Sequence, residues 1–234
     1  MDTRSTWSSL VFDSAYSYLN REHIQEDFST LVYFFVLWSL FYLALKHHLF
    51  KSALTINNKQ QNQQERLNLL NTIPSTVHGF IAFAYGAYHY FYYNPPECGM
   101  GNDWLQRQCL MISISYFLYD SCCMLLEGTI DRFIVVHHFF SIIGLSIPYI
   151  ENYNGIYSMV GIFVTEISCP AMHCKNLLKM FGKRFTAIYE VTEVTFFVLY
   201  FIGRGILSWS YVYHSVTCPS NHIFFKLTCF GLFF

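Results

Sequence analysis

The sequence has few charged residues. Only 12% of its 234 residues are Asp, Glu, Lys or Arg, about half of the ~25% found in an ordinary soluble domain. The 14 Lys and Arg nearly balance the 15 Asp and Glu, so no basic excess indicates a nucleic-acid partner. Hydrophobic residues make up 53%, and the mean hydropathy is +0.30. This composition predicts a multi-pass membrane protein.

Two other patterns are missing. Residues 1–27 have neither the basic start and apolar core of a secretory signal nor the acid-free composition of a transit peptide, so we expect no cleaved targeting segment. Apolar residues of this segment, such as Trp7, Leu10 and Val11, recur at helical spacing and favour an interfacial helix over a disordered tail. The eight cysteines contain no Cys-x-x-Cys spacing, and we expect neither a metal nor a cofactor.

After this segment, residues 28–234 form one predicted bundle without a second domain. A spanning helix needs about 20 apolar residues, and six segments are near that length. They run approximately over Phe28–Leu49, Ile73–Tyr93, Cys109–Leu126, Phe133–Ile150, Ile156–Leu178 and Phe185–Tyr213. A seventh segment, Ile223–Phe234, is too short to span, and we favour the start of a span that a longer chain would complete over a re-entrant tail. The predicted fold class is an all-α membrane protein with six to seven transmembrane helices.

The basic residues of the loops predict the topology. They gather in the loop between spans one and two (Lys46, Lys51, Lys59, Arg66) and the loop between spans five and six (Lys175, Lys179, Lys183, Arg184). The positive-inside rule places both loops in the cytosol, or in the matrix if the protein is mitochondrial. Lys59 and Lys183 are therefore expected on one face, with Asn94 and Ser220 on the other. The polar, repetitive composition of residues 57–64 predicts a solvated low-complexity loop.

Three cysteines fall near the non-basic face, where an oxidising compartment would lie. They are Cys98, Cys109 and Cys218. We predict that Cys218 is oxidised and pairs with either Cys98 or Cys109, provided that the Cα atoms approach within ~7 Å.

Two adjacent histidines, His137 and His138, lie in the fourth span. Ionisable groups at membrane depth are costly unless they face an interior partner, a cavity or water. Neighbouring residues of a helix point about 100° apart. We therefore expect one imidazole to face a cavity and the other to contact a neighbouring helix.

Further polar residues lie in the other spans, and we expect them to converge on an interior site. They are His78, His89, Asp120, Glu166, His173, Glu190, Glu193 and Arg204. A carboxylate from Asp120 or Glu166 beside one of the paired histidines would orient that imidazole and raise its basicity, as general-base catalysis requires.

Four motifs occur in order along spans two to five: Ser75-Thr76-Val77-His78-Gly79, Ser115-Tyr116-Phe117-Leu118-Tyr119-Asp120, His137-His138 and Glu166-Ile167-Ser168-Cys169-Pro170. Together they resemble the TLC-domain family of multi-pass membrane proteins, over about residues 66–234. That family includes the ceramide synthases, which transfer an acyl group from acyl-CoA to a sphingoid base. The resemblance implies candidate catalytic roles for His137, His138 and Asp120, and candidate binding roles for His78, Glu166 and Arg204.

The fifth span departs from the synthase pattern. Ceramide synthases have two aspartates there, whereas this chain has the single Glu166 and the Glu-x-Ser-x-Pro pattern of the non-synthase members. The resemblance therefore favours a protein of lipid homeostasis that binds a lipid or acyl chain. An acyl-CoA-dependent N-acyltransferase and an accessory subunit of a larger membrane complex are the alternatives; haem or metal ligation is a distant third. We expect the endoplasmic reticulum as its membrane, with the mitochondrial inner membrane as the alternative.

Overall fold

The computed structural model describes residues 22–51, 55–56, 59–60, 63–93 and 95–231. The predicted interfacial helix falls mainly on residues 1–21, outside the described residues. The described chain is almost entirely helical and forms α1 (Glu22–Lys51), α2 (Gln63–Tyr93), α3 (Trp104–Glu127), α4 (Arg132–Glu151), α5 (Gly155–Glu166), α6 (Cys169–Met180), α7 (Ala187–Tyr200), α8 (Ser208–Thr217) and α9 (Ile223–Gly231).

Two short elements interrupt this pattern. A π-helix, Phe201–Leu207, joins α7 to α8 without a break. In the loop between α1 and α2, which the sequence predicts to be irregular, β1 (Thr55–Ile56) pairs with β2 (Lys59–Gln60) in an antiparallel hairpin.

Five described helical stretches are long and apolar enough to cross a membrane. They are Asp27–His48, Trp104–Glu127, Arg132–Glu151, the α5–α6 pair Gly155–Met180, and Ala187–Thr217. The expected all-α membrane fold is thereby confirmed. The second predicted span lies within α2, which is long enough but too polar to be among the five. His78, Ala82, Gly86 and His89 of α2 are buried against other helices, and a helix in that position needs less apolar surface than one exposed to lipid.

The helices alternate in direction, so their ends form two opposite faces. Lys46 near the end of α1 pairs with Glu127 at the end of α3, and Asp27 near the start of α1 pairs with Arg107 near the start of α3. These two ion pairs show that α1 and α3 run parallel. We call the end that holds Lys46 and Glu127 the basic end, because both basic loops emerge there.

The α4 helix begins at a strong N-cap. The Asp131 side chain accepts hydrogen bonds from the backbone N–H groups of Phe133 (2.8 Å) and Ile134 (3.2 Å). Satisfying these otherwise unpaired groups fixes the first turn of the helix. The histidine pair follows in the second turn, near the basic end.

Glycines allow α2 and α5 to pack closely. A Cβ atom placed on Gly86 would lie 2.8 Å from the Phe163 nitrogen and 3.1 Å from the Met159 carbonyl oxygen. A Cβ atom on Gly161 would likewise lie 2.8 Å from the Tyr211 hydroxyl of α8. Small residues at such crossings let helix backbones approach in a membrane, where packing rather than water exclusion drives association.

The predicted fifth span is broken between α5 and α6. Pro170 has no N–H group to bond to the Glu166 carbonyl, and its ring would clash with that carbonyl in a continuous helix. The chain therefore turns at Ile167 and Ser168 before α6 begins at Cys169. This break places Glu166 at the end of a helix in the middle of the bundle.

The end opposite the basic end is closed by three loops, which we call the clasp (residues 95–103, 152–154 and 218–222). Cys98 and Cys218 form a disulfide with their Cα atoms 5.5 Å apart. This confirms the predicted oxidation of Cys218 and selects Cys98 as its partner, whereas Cys109 is a buried free thiol.

Asparagines hold the clasp together. Asn154 adopts a left-handed conformation with φ of 60°, accepts from the Gly99 N–H (2.7 Å) and donates to the Ser220 hydroxyl (2.9 Å). Asn102 donates to the Pro148 carbonyl (2.8 Å) and accepts from the Gly155 N–H (2.7 Å). The clasp is thus tied by a covalent bond and by hydrogen bonds across all three loops.

The glycine packing yields a test of the α2–α5 crossing. Gly86→Ala should lower the free energy of unfolding by about 1–3 kcal/mol, because the new methyl group meets backbone atoms that cannot move aside. Gly101→Ala is the matched control, since a Cβ atom at Gly101 meets nothing within 4 Å. Thermal unfolding in detergent measures both, and equal melting temperatures would contradict this packing.

Candidate functional site

The two histidines point to different surroundings, as the helix geometry predicts. His138 is buried against α3, and half-buried His137 lines an interior cavity. The expected division into one imidazole that faces a cavity and one that contacts a neighbouring helix is confirmed.

His138 contacts two residues of α3. Its Nε2 atom lies 3.4 Å from Oδ2 of Asp120, and its Nδ1 atom lies 3.1 Å from the Ser121 hydroxyl oxygen. The predicted proximity of a paired histidine to Asp120 is therefore confirmed. Both partners are buried, with side chains 7% and 9% exposed.

The hydrogen bonds of Ser121 indicate which ring nitrogen of His138 carries a hydrogen. The single hydroxyl hydrogen of Ser121 is donated to the Phe117 carbonyl oxygen at 2.7 Å, so Ser121 accepts from His138 Nδ1–H. With Nδ1 protonated, Nε2 is the ring nitrogen that faces the Asp120 carboxyl, at an ion-pair distance of 3.4 Å. Such a pair is an acid–base couple that can hold or move a proton at Nε2.

His137 lines a cavity of about 50 Å³ between the helices. A cavity needs only ~10–15 Å³ to hold one water molecule, so this cavity is larger than a site for a single water. Phe117 packs against both imidazoles, its ring centroid 5.8 Å from that of His137 and 5.2 Å from that of His138. The cavity is also lined by His78, Ala82, Ser113, Ser141, Leu145, Ser158, Ile162, Thr165, Glu166, Phe225 and Thr228.

His78 is fixed on the wall of this cavity. Its Nε2 atom is 3.2 Å from the Ser113 hydroxyl, and its ring stacks on Tyr116 with centroids 3.9 Å apart. Tyr116 in turn donates to the Ser75 hydroxyl at 2.9 Å. The predicted binding residue His78 thus lies at the site, in one orientation.

Glu166 also reaches this region. It lines the cavity at the α5–α6 break, with Oε2 beside Gly79 of α2. Arg204, the other predicted binding residue, lies in the π-helix with its Nε atom buried, and it does not line the cavity. Gly203 brings the π-helix against α5, since a Cβ atom there would lie 2.5 Å from the Val164 carbonyl oxygen. Single π-helical turns often occur at functional sites.

Other polar residues of the spans serve packing elsewhere. His89 is fully buried towards the clasp, with Nδ1 2.8 Å from the Tyr85 carbonyl oxygen and Nε2 3.4 Å from Asp103. Glu193 pairs with Lys175 at 3.8 Å, and Glu190 is exposed on α7. Not all intramembrane polar residues converge on one site, contrary to our expectation.

A polar cleft at the basic end was not anticipated from the sequence. It measures about 230 Å³ and lies where α2, α3, α4 and α6 meet. Asp120 lines this cleft and also contacts His138, so the carboxyl stands between the cleft and the histidine pair. His173, one of the predicted interior polar residues, lines the same cleft.

Sequence reasoning missed the serines that orient the imidazoles. Ser121 and Ser113 each lie within hydrogen-bond distance of a histidine ring. Serines in membrane helices usually donate to a carbonyl one turn earlier, as Ser121 also does. Nothing in the sequence distinguishes a serine that also contacts a histidine from one that makes only this backbone hydrogen bond.

The fold and the site define a multi-pass helical membrane protein with a buried acid–base pair between an interior cavity and a polar cleft. Comparison with known families agrees: the TLC domain matches residues 68–234. The chain belongs to the TLC domain family. No solved structure matches the chain.

The His138–Asp120 contact can be tested by a double-mutant cycle. Asp120→Ala and His138→Ala should each destabilise the protein, and the coupling energy between them should be about 1–3 kcal/mol, because each change leaves a buried polar partner alone. Unfolding in detergent measures the four variants of the cycle.

The control cycle uses His89 and Asp103, whose atoms are also 3.4 Å apart. The Asp103 side chain is 38% exposed, so water screens that pair and its coupling should stay below about 1 kcal/mol. Additive effects of Asp120→Ala and His138→Ala would show that the contact contributes nothing.

Proposed function

We propose that this protein binds an acyl chain or the tail of a lipid in its interior cavity, with the polar part of the ligand at the histidine pair, and that it serves lipid homeostasis. The observation that carries the proposal is the position of the cavity. It ends at His137 and Glu166, next to the His138–Asp120 pair, inside a bundle of membrane-spanning length.

The shape of the cavity supports a single chain as ligand. Along α5 it extends from Ser158 to Glu166, which corresponds to a rise of roughly 12 Å. Two hydroxyl groups on its wall are satisfied within their own helices: Thr165 donates to the Gly161 carbonyl (3.0 Å) and Thr228 to the Phe225 carbonyl (2.7 Å). The buried Ser158 hydroxyl has no partner among the described residues. A cavity that follows one helix over this length suits one flexible chain better than a fused ring system.

The clasp indicates that a ligand does not enter from the end of the bundle that the clasp closes. Its disulfide and hydrogen bonds tie the loops that cover the cavity opposite the basic end. A ligand would therefore reach the histidines from the basic end or from the membrane. We further propose the endoplasmic reticulum as its membrane, because the clasp disulfide would then face an oxidising lumen and the basic loops the cytosol.

Ala82 and Ala84 provide a matched test of binding. Ala82 lines the cavity, whereas Ala84 is exposed on the outside of the same helix. Ala82→Leu fills the cavity and should reduce co-purified acyl lipid at least about tenfold, an effect that would correspond to about 1.4 kcal/mol. Ala84→Leu should change little. Lipid mass spectrometry of purified protein measures both.

The same preparation tests the alternative role. An acyl lipid at one per chain in wild type and in Ala84→Leu, lost in Ala82→Leu, supports interior binding. Equal lipid in both variants contradicts it, and stoichiometric partner proteins in place of lipid would favour an accessory subunit of a membrane complex.

Acyl transfer is a second candidate function, favoured by the position of His137. This imidazole faces the cavity where an acyl group would lie, so it would take the proton of an attacking amine and return it to the departing CoA thiolate. The single acid of the fifth span, Glu166, argues against this function, because ceramide synthases have two aspartates there.

Incubation with acyl-CoA and a long-chain amine distinguishes turnover from binding. If the protein transfers acyl groups, His137→Ala should slow N-acyl product formation about 10²–10⁴-fold, as removal of a general base does, while the protein remains folded. A wild-type rate equal to that of His137→Ala would eliminate acyl transfer and leave binding as the function.

A further inference from the structure

We infer that the polar cleft at the basic end is a head-group subsite, and that it takes a hydroxylated head group without phosphate. The inference rests on the proposed function, since it assumes that the tail of the same lipid occupies the interior cavity. It adds the chemical class of the ligand and the residues that recognise its head.

The first argument is depth. Residues near the termini of three helices line the cleft: Met124 on α3, Ile134 on α4 and Asn176 on α6, whereas Asn71 lies in the third turn of α2. Thr129 lies in the loop between α3 and α4. All these termini belong to the basic end, so the cleft lies where the head groups of one leaflet would be.

The second argument is charge. None of the described residues that line the cleft is Lys or Arg; its titratable groups are the carboxyl of Asp120 and the imidazole of His173. Phosphate is recognised in proteins by Arg or Lys side chains and by helix N-termini. The carboxyl of Asp120 and the amide and hydroxyl groups around it instead suit the hydroxyls of a neutral head group. A carboxylate accepts hydrogen bonds from such hydroxyls, and amide and hydroxyl groups can both donate to them and accept from them.

The third argument is unsatisfied hydrogen bonding. Within the described part of the chain, the Asn71 Oδ1 and Thr129 Oγ1 atoms are buried and have no hydrogen-bond partner. Both residues line the cleft. Buried polar atoms without a partner cost about 1–3 kcal/mol, so a ligand hydroxyl that reached either atom would recover that free energy.

The cleft also connects to the candidate site. Asp120 lines the cleft and lies 3.4 Å from His138. Ser75 lines it as well and accepts from Tyr116, on which His78 stacks at the cavity wall. A lipid with its head in the cleft and its tail in the cavity would pass the histidine pair at the junction of head and tail.

Two nearly isosteric substitutions separate recognition from stability. Asn71→Leu and Thr129→Val replace the unpartnered groups by apolar ones of similar shape. Because no protein hydrogen bond is lost, the ligand-free variants should melt at or above the wild-type temperature. Thr76→Val is the control, since the Thr76 hydroxyl already donates to the Thr72 carbonyl (2.7 Å) and does not line the cleft.

The binding experiment uses purified full-length protein in nanodiscs and three probes with one acyl chain. A monoacylglycerol has a hydroxylated head, a lysophosphatidic acid adds a phosphate to the same glycerol, and a fatty acid methyl ester has no such head. Wild type should bind the monoacylglycerol at least about tenfold more tightly than the lysophosphatidic acid. Asn71→Leu and Thr129→Val should each weaken monoacylglycerol binding about two- to tenfold, the effect of one hydrogen bond, and leave methyl ester binding unchanged.

Three results would overturn the head-group subsite while leaving interior lipid binding intact. In the first, wild type binds the lysophosphatidic acid as tightly as the monoacylglycerol, or more tightly. In the second, Asn71→Leu and Thr129→Val weaken monoacylglycerol and methyl ester binding equally. In the third, the control Thr76→Val weakens monoacylglycerol binding as much as these two variants do. If none of the three probes binds wild type, the proposed function fails and the subsite fails with it.

Discussion

The contact between His138 and Asp120 connects most features of this protein. Both side chains are buried between α3 and α4, where an ionisable group needs a partner, and Asp120 also lines the polar cleft. The contact joins α3 to α4, and Ser121 on the adjacent position of α3 fixes the imidazole from its other nitrogen. Moving either helix by one turn would leave two ionisable groups unsatisfied. The register of α3 and α4 is therefore set by hydrogen bonding as well as by packing.

The same constraint explains where backbone irregularities occur. Pro170 breaks the fifth span beside Glu166, and the π-helix carries Arg204. Each irregularity lies next to an ionisable side chain, and each contacts protein on one side, as Gly203 on Val164 shows. Irregular backbone is tolerated at membrane depth where protein covers it. The break at Pro170 places the Glu166 carboxylate on the wall of the cavity that His137 also lines.

Much of this arrangement could be predicted from local sequence. Apolar segments of spanning length predicted the bundle, the 100° rotation between neighbours predicted the divergence of His137 and His138, and loop charges predicted which cysteines share a face. The α5–α6 break was missed although Pro170 was visible, because apolarity alone was used to define that span. The role of Ser121, the polar cleft and the choice of Cys98 over Cys109 depend on how distant helices approach. Those distances arise from tertiary packing, which no short motif encodes.

The clasp has a consequence for biosynthesis. Cys98 and Cys218 are separated by 120 positions, and the helices α3 to α8 are made between them. At about 5–20 residues per second, Cys98 waits roughly 6–24 s for its partner to emerge from the ribosome. During that interval α3 to α8 must insert while Cys98 remains a free thiol. Correct pairing therefore depends on burial of Cys109 before Cys218 arrives, so that helix packing protects the chain from the wrong disulfide.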